Sequence, residues 1–193
     1  MLPQIVLASG SPRRKEILSS LRLTFEVRPA DVDESLLPGE SAFDAAERLA
    51  LAKARVAAAG APDALVVAAD TLVVLDGVAL GKPADRADAR RMLAALDGRR
   101  HDVVTGVACA LGGRFVSGRE TTRVDFAPMS PVEIEAYVAT GEPDDKAGAY
   151  ALQGIGGLFV ESVEGSPSNV VGIPMRLLYR LAAELGVNLA VRS

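Results

Sequence analysis

Apolar positions fall into runs whose spacing changes along the chain. Gln4-Ile5-Val6-Leu7-Ala8 is a short apolar run and predicts a buried strand; Ser9-Gly10-Ser11-Pro12 has the chemistry of a turn and a helix start. Ser11 suits an N-cap and Pro12 the first helical position, so a helix is expected through Arg14 to about Leu21. Leu23, Phe25 and Val27 alternate with polar residues and predict a second strand. A polar loop from Pro29 to Glu40 leads into a long Ala-rich amphipathic helix from Ala42 to about Ala59. Ala64 to Leu75 is almost wholly apolar and rich in β-branched residues, as a central strand requires, with a turn expected at Asp76-Gly77.

Further on, Ala84 to Leu96 has helical spacing, and His101–Leu111 with Arg114–Phe126 predicts a hairpin about Gly112-Gly113. Pro131 to Thr140 follows a Ser130 cap as a helix, Gly148 to Gly157 is a glycine-studded loop, Gly157 to Val163 is a strand, and Pro174 to about Leu185 is the last helix. Strands alternate with helices while a hairpin intrudes, which points to an α/β sheet of mixed direction. No repeat, low-complexity tract or clear linker interrupts residues 1–193, and one domain is expected.

Local rules are broken at a few positions, and those positions carry candidate chemistry. Arg13 and Arg14 follow a good helix start, where the helix dipole disfavours cations; a phosphate taking the helix N–H groups and both guanidinium forks would resolve the conflict, with Ser9 and Ser11 adding hydroxyls. Asp70 is a single carboxylate within the most apolar run and needs a partner, a metal or a strand end, which makes it a candidate metal ligand or water-activating base. Gly81-Lys82-Pro83 holds a lysine in a stiff turn suited to a phosphate oxygen, without Walker spacing. Lys53 reads as a solvated lysine on the polar side of its helix, and Glu34 as part of the acidic loop Asp31-Val32-Asp33-Glu34. Gln153 stands in a loop too apolar and glycine-rich for plain surface, with donors and an acceptor able to read a base edge. Ser168 to Pro174 closes that region before the last helix.

Composition narrows the function classes. A net charge of −4 with only short basic clusters argues against nucleic-acid binding. The single cysteine, Cys109, excludes an internal disulfide and reads as a buried inert thiol; the single histidine, His101, excludes a multi-histidine metal site and is expected in a turn after Arg99-Arg100. No secretory signal or membrane-spanning stretch is visible, so a soluble, cytoplasmic protein without a membrane partner is expected.

Leu7-Ala8-Ser9-Gly10-Ser11-Pro12-Arg13-Arg14, Ala69-Asp70-Thr71, Gly81-Lys82-Pro83, Lys146-Ala147-Gly148-Ala149-Tyr150 and Asn169-Val170-Val171-Gly172, in this order and across nearly the whole chain, resemble the Maf family of nucleoside triphosphate pyrophosphatases. The resemblance implies an elongated mixed sheet flanked by helices with a deep central cleft, similar to inosine triphosphatases. It implies hydrolysis between the α and β phosphates, a divalent cation (Mg²⁺ or Mn²⁺), and often a homodimer. By motif, Ser9, Arg13, Arg14, Glu34, Lys53, Asp70, Lys82 and Gln153 fall on the family's site positions, with Glu34 and Asp70 as metal ligands, Lys53 and Lys82 beside Asp70 in catalysis, and Ser9, Arg13, Arg14, Lys53 and Lys82 on the phosphates. Arg13, Thr71 and Gln153 look like the branch acting on dTTP and UTP. A sister activity on another base such as 7-methyl-GTP or modified nucleotides, a nucleotidyltransferase, and a nucleotide-binding regulator of cell division are the alternatives.

Overall fold

The structure, a computed structural model, describes residues 2–191. Strand β1 (Ile5–Leu7) pairs in parallel with β2 (Phe25–Val27) on one side and with β3 (Leu65–Leu75) on the other. At Asp76-Gly77 the chain turns back into β4 (Val78–Leu80), antiparallel to β3 and not foreseen as a strand. The hairpin of β5 (Arg100–Leu111) and β6 (Arg114–Phe126) follows, and β7 (Val160–Glu164) pairs antiparallel to β6. Among the described residues these form a seven-stranded sheet in the order β2-β1-β3-β5-β6-β7, with β4 on β3. Parallel and antiparallel pairs coexist, which is the mixed α/β class the strand and helix pattern predicts. β1 and the first half of β3 are buried at every position, as expected for strands covered on both faces.

The chain divides into two compact units, and β3, β5 and β6 each contribute to both. The first comprises the described parts of 1–70, 105–120 and 172–193. It contains α1 (Pro12–Ser20), α2 (Ala42–Ala59) and α6 (Met175–Glu184). Helix α2 starts where Ser41 Oγ accepts the Asp44 N–H at 3.1 Å. Its inner stripe of Ala50, Ala54 and Ala57 packs with Val6, Ala8, Val66, Ala68, Ala108 and Ala110. Small side chains on both partners bring helix and sheet close. At Gly106 of β5 any Cβ would overlap the carbonyl of Ala46, so only glycine fits there.

The second unit comprises 71–104 and 121–171. Its helices are α3 (Arg86–Leu96), capped by Asp85 on the Asp88 N–H, α4 (Pro131–Ala139), opened by a Ser130–Glu133 capping box, and α5 (Pro167–Val171). The core joins Val73, Leu75, Leu93, Leu96, Phe126, Tyr137 and Tyr150. Two expectations are corrected here. The strand expected from Gly157 begins at Val160, because Ile155–Phe159 closes as a 3-10 turn around Gly156 and Gly157. The segment from Ser168, expected only as a closing loop, contributes to α5, where the buried Asn169 amide donates to Val103 O and Thr122 Oγ1 at 2.8 and 2.9 Å. No helix among the described residues is long and apolar enough to cross a membrane.

Candidate active site

Asp70 occupies the middle of β3, not a strand end, and is buried. A charge at such a place requires a partner. That partner is Lys53, whose Nζ donates to Asp70 Oδ1 at 2.5 Å. Lys53 also forms an ion pair with Glu34 Oε1 at 2.6 Å, from the loop before α2. The expectation of a solvated lysine is thus corrected: Lys53 is only 7% exposed. It stands on the same helical stripe as Ala46, Leu49, Ala50 and Ala57, all buried. The i, i+3, i+4 spacing already marks that stripe in the sequence, and a lysine on it signals a buried partner.

The turn between β1 and α1 supplies a second arm. Ser9 is buried, and its Oγ accepts the Ser11 N–H at 3.2 Å and Arg14 Nη1 at 3.1 Å. Arg14 Nε donates to the Gly172 carbonyl at 3.1 Å. Ser11 holds the N-cap position of α1, but its side chain makes no capping bond, in contrast to the capping role read from the sequence. Burial pulls the Arg14 guanidinium below its ordinary value, and the charges of Asp70 and Glu34 pull it back up. Arg13 is half-buried in the first turn of the same helix.

Ser9, Arg14, Glu34, Lys53 and Asp70 are therefore linked by hydrogen bonds, ion pairs and field within the first unit, which also holds Arg13. Thr71, Lys82 and Gln153 belong to the second unit. Thr71 follows Asp70 in β3 and is half-buried. Lys82 is exposed in its turn, and the Gly148 N–H donates to the Gly81 carbonyl at 3.0 Å, so Gly81-Lys82-Pro83 and Lys146 to Tyr150 are joined through the backbone. Gln153 is exposed in the loop between Ala151 and Gly156.

His101 lies within β5 rather than in a turn, and is buried. Its Nε2 shares a 2.9 Å hydrogen bond with Tyr150 Oη, and its ring meets Phe126 and Tyr150 edge-on. Burial lowers its pKa to about 4, so it is neutral at pH 7. Cys109 is buried and its thiol is pushed up to about 12, which matches an inert packing role.

Among the described residues no three His, Cys, Asp or Glu side chains converge as a ready-made metal cage. Asp70 and Glu34 nevertheless fit a hard cation. Both are oxygen donors, both already close on one shared cation, the Lys53 ammonium, and Mg²⁺ characteristically takes one or two carboxylates together with substrate phosphates.

The chain folds like a HAM1 protein from Coxiella burnetii, with a TM-score of 0.52 and 19% identity, over 96% of this chain and 99% of that one. The Maf-like protein family model matches residues 4–185, and the chain belongs to that family. Among curated relatives, a dTTP/UTP pyrophosphatase of Anaeromyxobacter dehalogenans (strain 2CP-1) is 56% identical, over 91% of this chain and 90% of its own length. Proteins of the same name from Moorella thermoacetica and Chromobacterium violaceum are 51% and 49% identical, over 97% and 96% of this chain and the same shares of their own lengths.

Proposed function

We propose that this protein is a nucleoside triphosphate pyrophosphatase that hydrolyses dTTP and UTP to the monophosphate and pyrophosphate. The observation that carries the chemistry is the Lys53 ammonium held between the buried Asp70 and the exposed Glu34. The full-length relatives named dTTP/UTP pyrophosphatase support the choice of substrates and favour none of the alternatives.

In this reading Asp70 orients and deprotonates the water that attacks the α phosphorus. Lys53 holds the Asp70 carboxylate in place through their 2.5 Å hydrogen bond. Arg14, aimed by Ser9 and Gly172, holds phosphate oxygens together with Arg13, and Lys82 is a further phosphate contact carried over by motif. Positioning and electrostatic stabilisation are the main demands of phosphoryl chemistry, and these groups supply both. Thr71 and Gln153 take the base; the Gln153 amide can pair with the N3–H and a carbonyl of uracil or thymine.

Charge counting supports a divalent cation. Within the first unit Arg13, Arg14 and Lys53 contribute three positive charges and Asp70 and Glu34 two negative, so a polyanionic triphosphate meets a net positive charge of only one from these groups. Mg²⁺ or Mn²⁺ bound by Glu34 and Asp70 would supply the missing positive charge on the phosphates. A cytoplasmic location and a homodimer belong to the same reading, on the family resemblance.

The test is pyrophosphate release by purified protein from dTTP, UTP, CTP, 7-methyl-GTP and ITP, with Mg²⁺, with Mn²⁺ and with a chelator. Turnover confined to dTTP and UTP and abolished by the chelator is the expected result. Preference for another base would discard the roles of Thr71 and Gln153, and no release from any triphosphate would sink the enzyme reading.

A further inference from the structure

We infer that Glu142 is a positioning residue that clamps the Gln153 loop into its base-reading shape, an inference that rests on the role given to Gln153 above. Two side chains bind the backbone on both sides of Gln153. On its N-terminal side the Ala151 N–H donates to Tyr137 Oη at 3.2 Å. On its C-terminal side the Ile155 N–H donates to Glu142 Oε2 at 3.1 Å and the Gly156 N–H to Glu142 Oε1 at 2.9 Å. The two anchors are themselves joined, because Tyr137 Oη donates to Glu142 Oε1 at 2.8 Å. A hydroxyl can accept one bond while donating another, so phenol and carboxylate act as a single clamp with the exposed Gln153 at its tip.

The loop is shaped to the clamp. Gly154 has φ +123°, and a Cβ there would run into the Glu142 carboxylate. At Gly156 a Cβ would overlap the Tyr137 hydroxyl and the Ala151 carbonyl. The base of the clamp is rigid. Tyr137 is 1% exposed on α4, and its ring lies 5.6 Å from that of Phe159. Glu142 opens the 3-10 turn Glu142–Asp145, directly after α4 and Gly141. A carboxylate accepting two amide N–H groups and a phenol is a strong, directional tie.

Holding the loop this way orders Gln153 before nucleotide arrives. An unclamped loop would lose conformational freedom on binding, weakening affinity and blurring the choice of base. The chemical step on the phosphates is served by other residues. Loss of the clamp therefore acts on KM and base preference more than on kcat.

The experiment compares Glu142→Ala and Glu142→Gln with the unaltered protein by two readouts. Steady-state kinetics on UTP, dTTP and CTP give KM, kcat and base preference, and residue-resolved amide hydrogen exchange reports on Ile155 and Gly156. For Glu142→Ala we expect KM for UTP and dTTP to rise about tenfold, with kcat within about threefold and the preference for UTP over CTP reduced about tenfold, the scale of a lost hydrogen-bonding group. Exchange at Ile155 and Gly156 should quicken, with Leu93 in the core of the same unit unchanged. Glu142→Gln, which keeps one acceptor oxygen, should fall between, and it decides the matter if the alanine variant does not fold. Unchanged base preference, or unchanged exchange at both amides, overturns the inference. Failure of the function reading is visible separately, as absence of pyrophosphate release from the unaltered protein; exchange then still decides whether Glu142 holds the loop.

Discussion

The ammonium of Lys53 lies 2.5 Å from Asp70 Oδ1, 17 residues away in sequence, and both side chains are 9% exposed. Such a pair is costly to form and worse to break, because either partner alone is a buried charge. A stable scaffold could do as well with apolar residues. Its presence in an otherwise Ala-, Val- and Leu-rich core accords with a functional carboxylate that the lysine holds in position.

Asp70→Asn leaves the shape of the side chain intact and removes the base. Turnover should fall about 10³-fold, within the range a general base contributes, while circular dichroism shows the fold retained. Near-normal pyrophosphate release from this variant would remove Asp70 from that role.

Lys53→Met fills the volume but removes the ion-pair partner of the buried Asp70 carboxylate. A loss of about 3–5 kcal/mol in chemical denaturation at pH 7 is expected, with turnover lost as well. Pairing it with Asp70→Asn should recover part of the stability and none of the activity. Additive losses in that double variant would mean that the two side chains do not act as a pair.

Arg14→Lys keeps the charge but cannot reach Ser9 Oγ and the Gly172 carbonyl with a fork. KM for UTP should rise about tenfold or more, the effect of losing one charged hydrogen bond to phosphate. An unchanged KM would show that the charge alone matters at this position.

His101 gives a pH dependence with a definite sign. Burial lowers its folded-state pKa from 6.5 to about 4, so the unfolded chain binds the proton more readily. The stability it contributes is complete above pH 6.5 and is lost as pH falls through about 4. That loss is on the order of 3 kcal/mol at one proton across the window. Denaturation midpoints at pH 7.5, 5.5 and 4 should show this slope, and His101→Gln should flatten it. An identical slope in the variant would place the proton uptake elsewhere.

Much of the fold is legible along the chain, since its elements carry local signals. Ser130 caps its helix where the sequence has it, and the Gly112-Gly113 hairpin needs no long-range information. Errors cluster where local signals conflict with packing. Gly157 and Leu158 read as the start of a strand, but the glycines permit the 3-10 turn that leaves Val160 as the first strand residue. His101 follows two arginines and looks exposed, yet strand alternation carries it inward to Tyr150. Lys53 was hidden by its charge, although its spacing from Leu49, Ala50 and Ala57 marks an inner position.

From periodicity, caps and turn chemistry alone, the amino-acid order specifies the α/β class, most element boundaries and the anomaly of a carboxylate at position 70. These are properties of near neighbours in the chain, which is where backbone geometry and side-chain spacing act. Which cation answers that carboxylate, which atoms aim Arg14, and which side chains hold the Gln153 loop are pairings over long sequence distances, among them Arg14 with Gly172, 158 residues apart. Such pairings arise only when sheet register and helix packing bring the groups within hydrogen-bonding reach, and the burial that folding creates is what gives each pairing its strength.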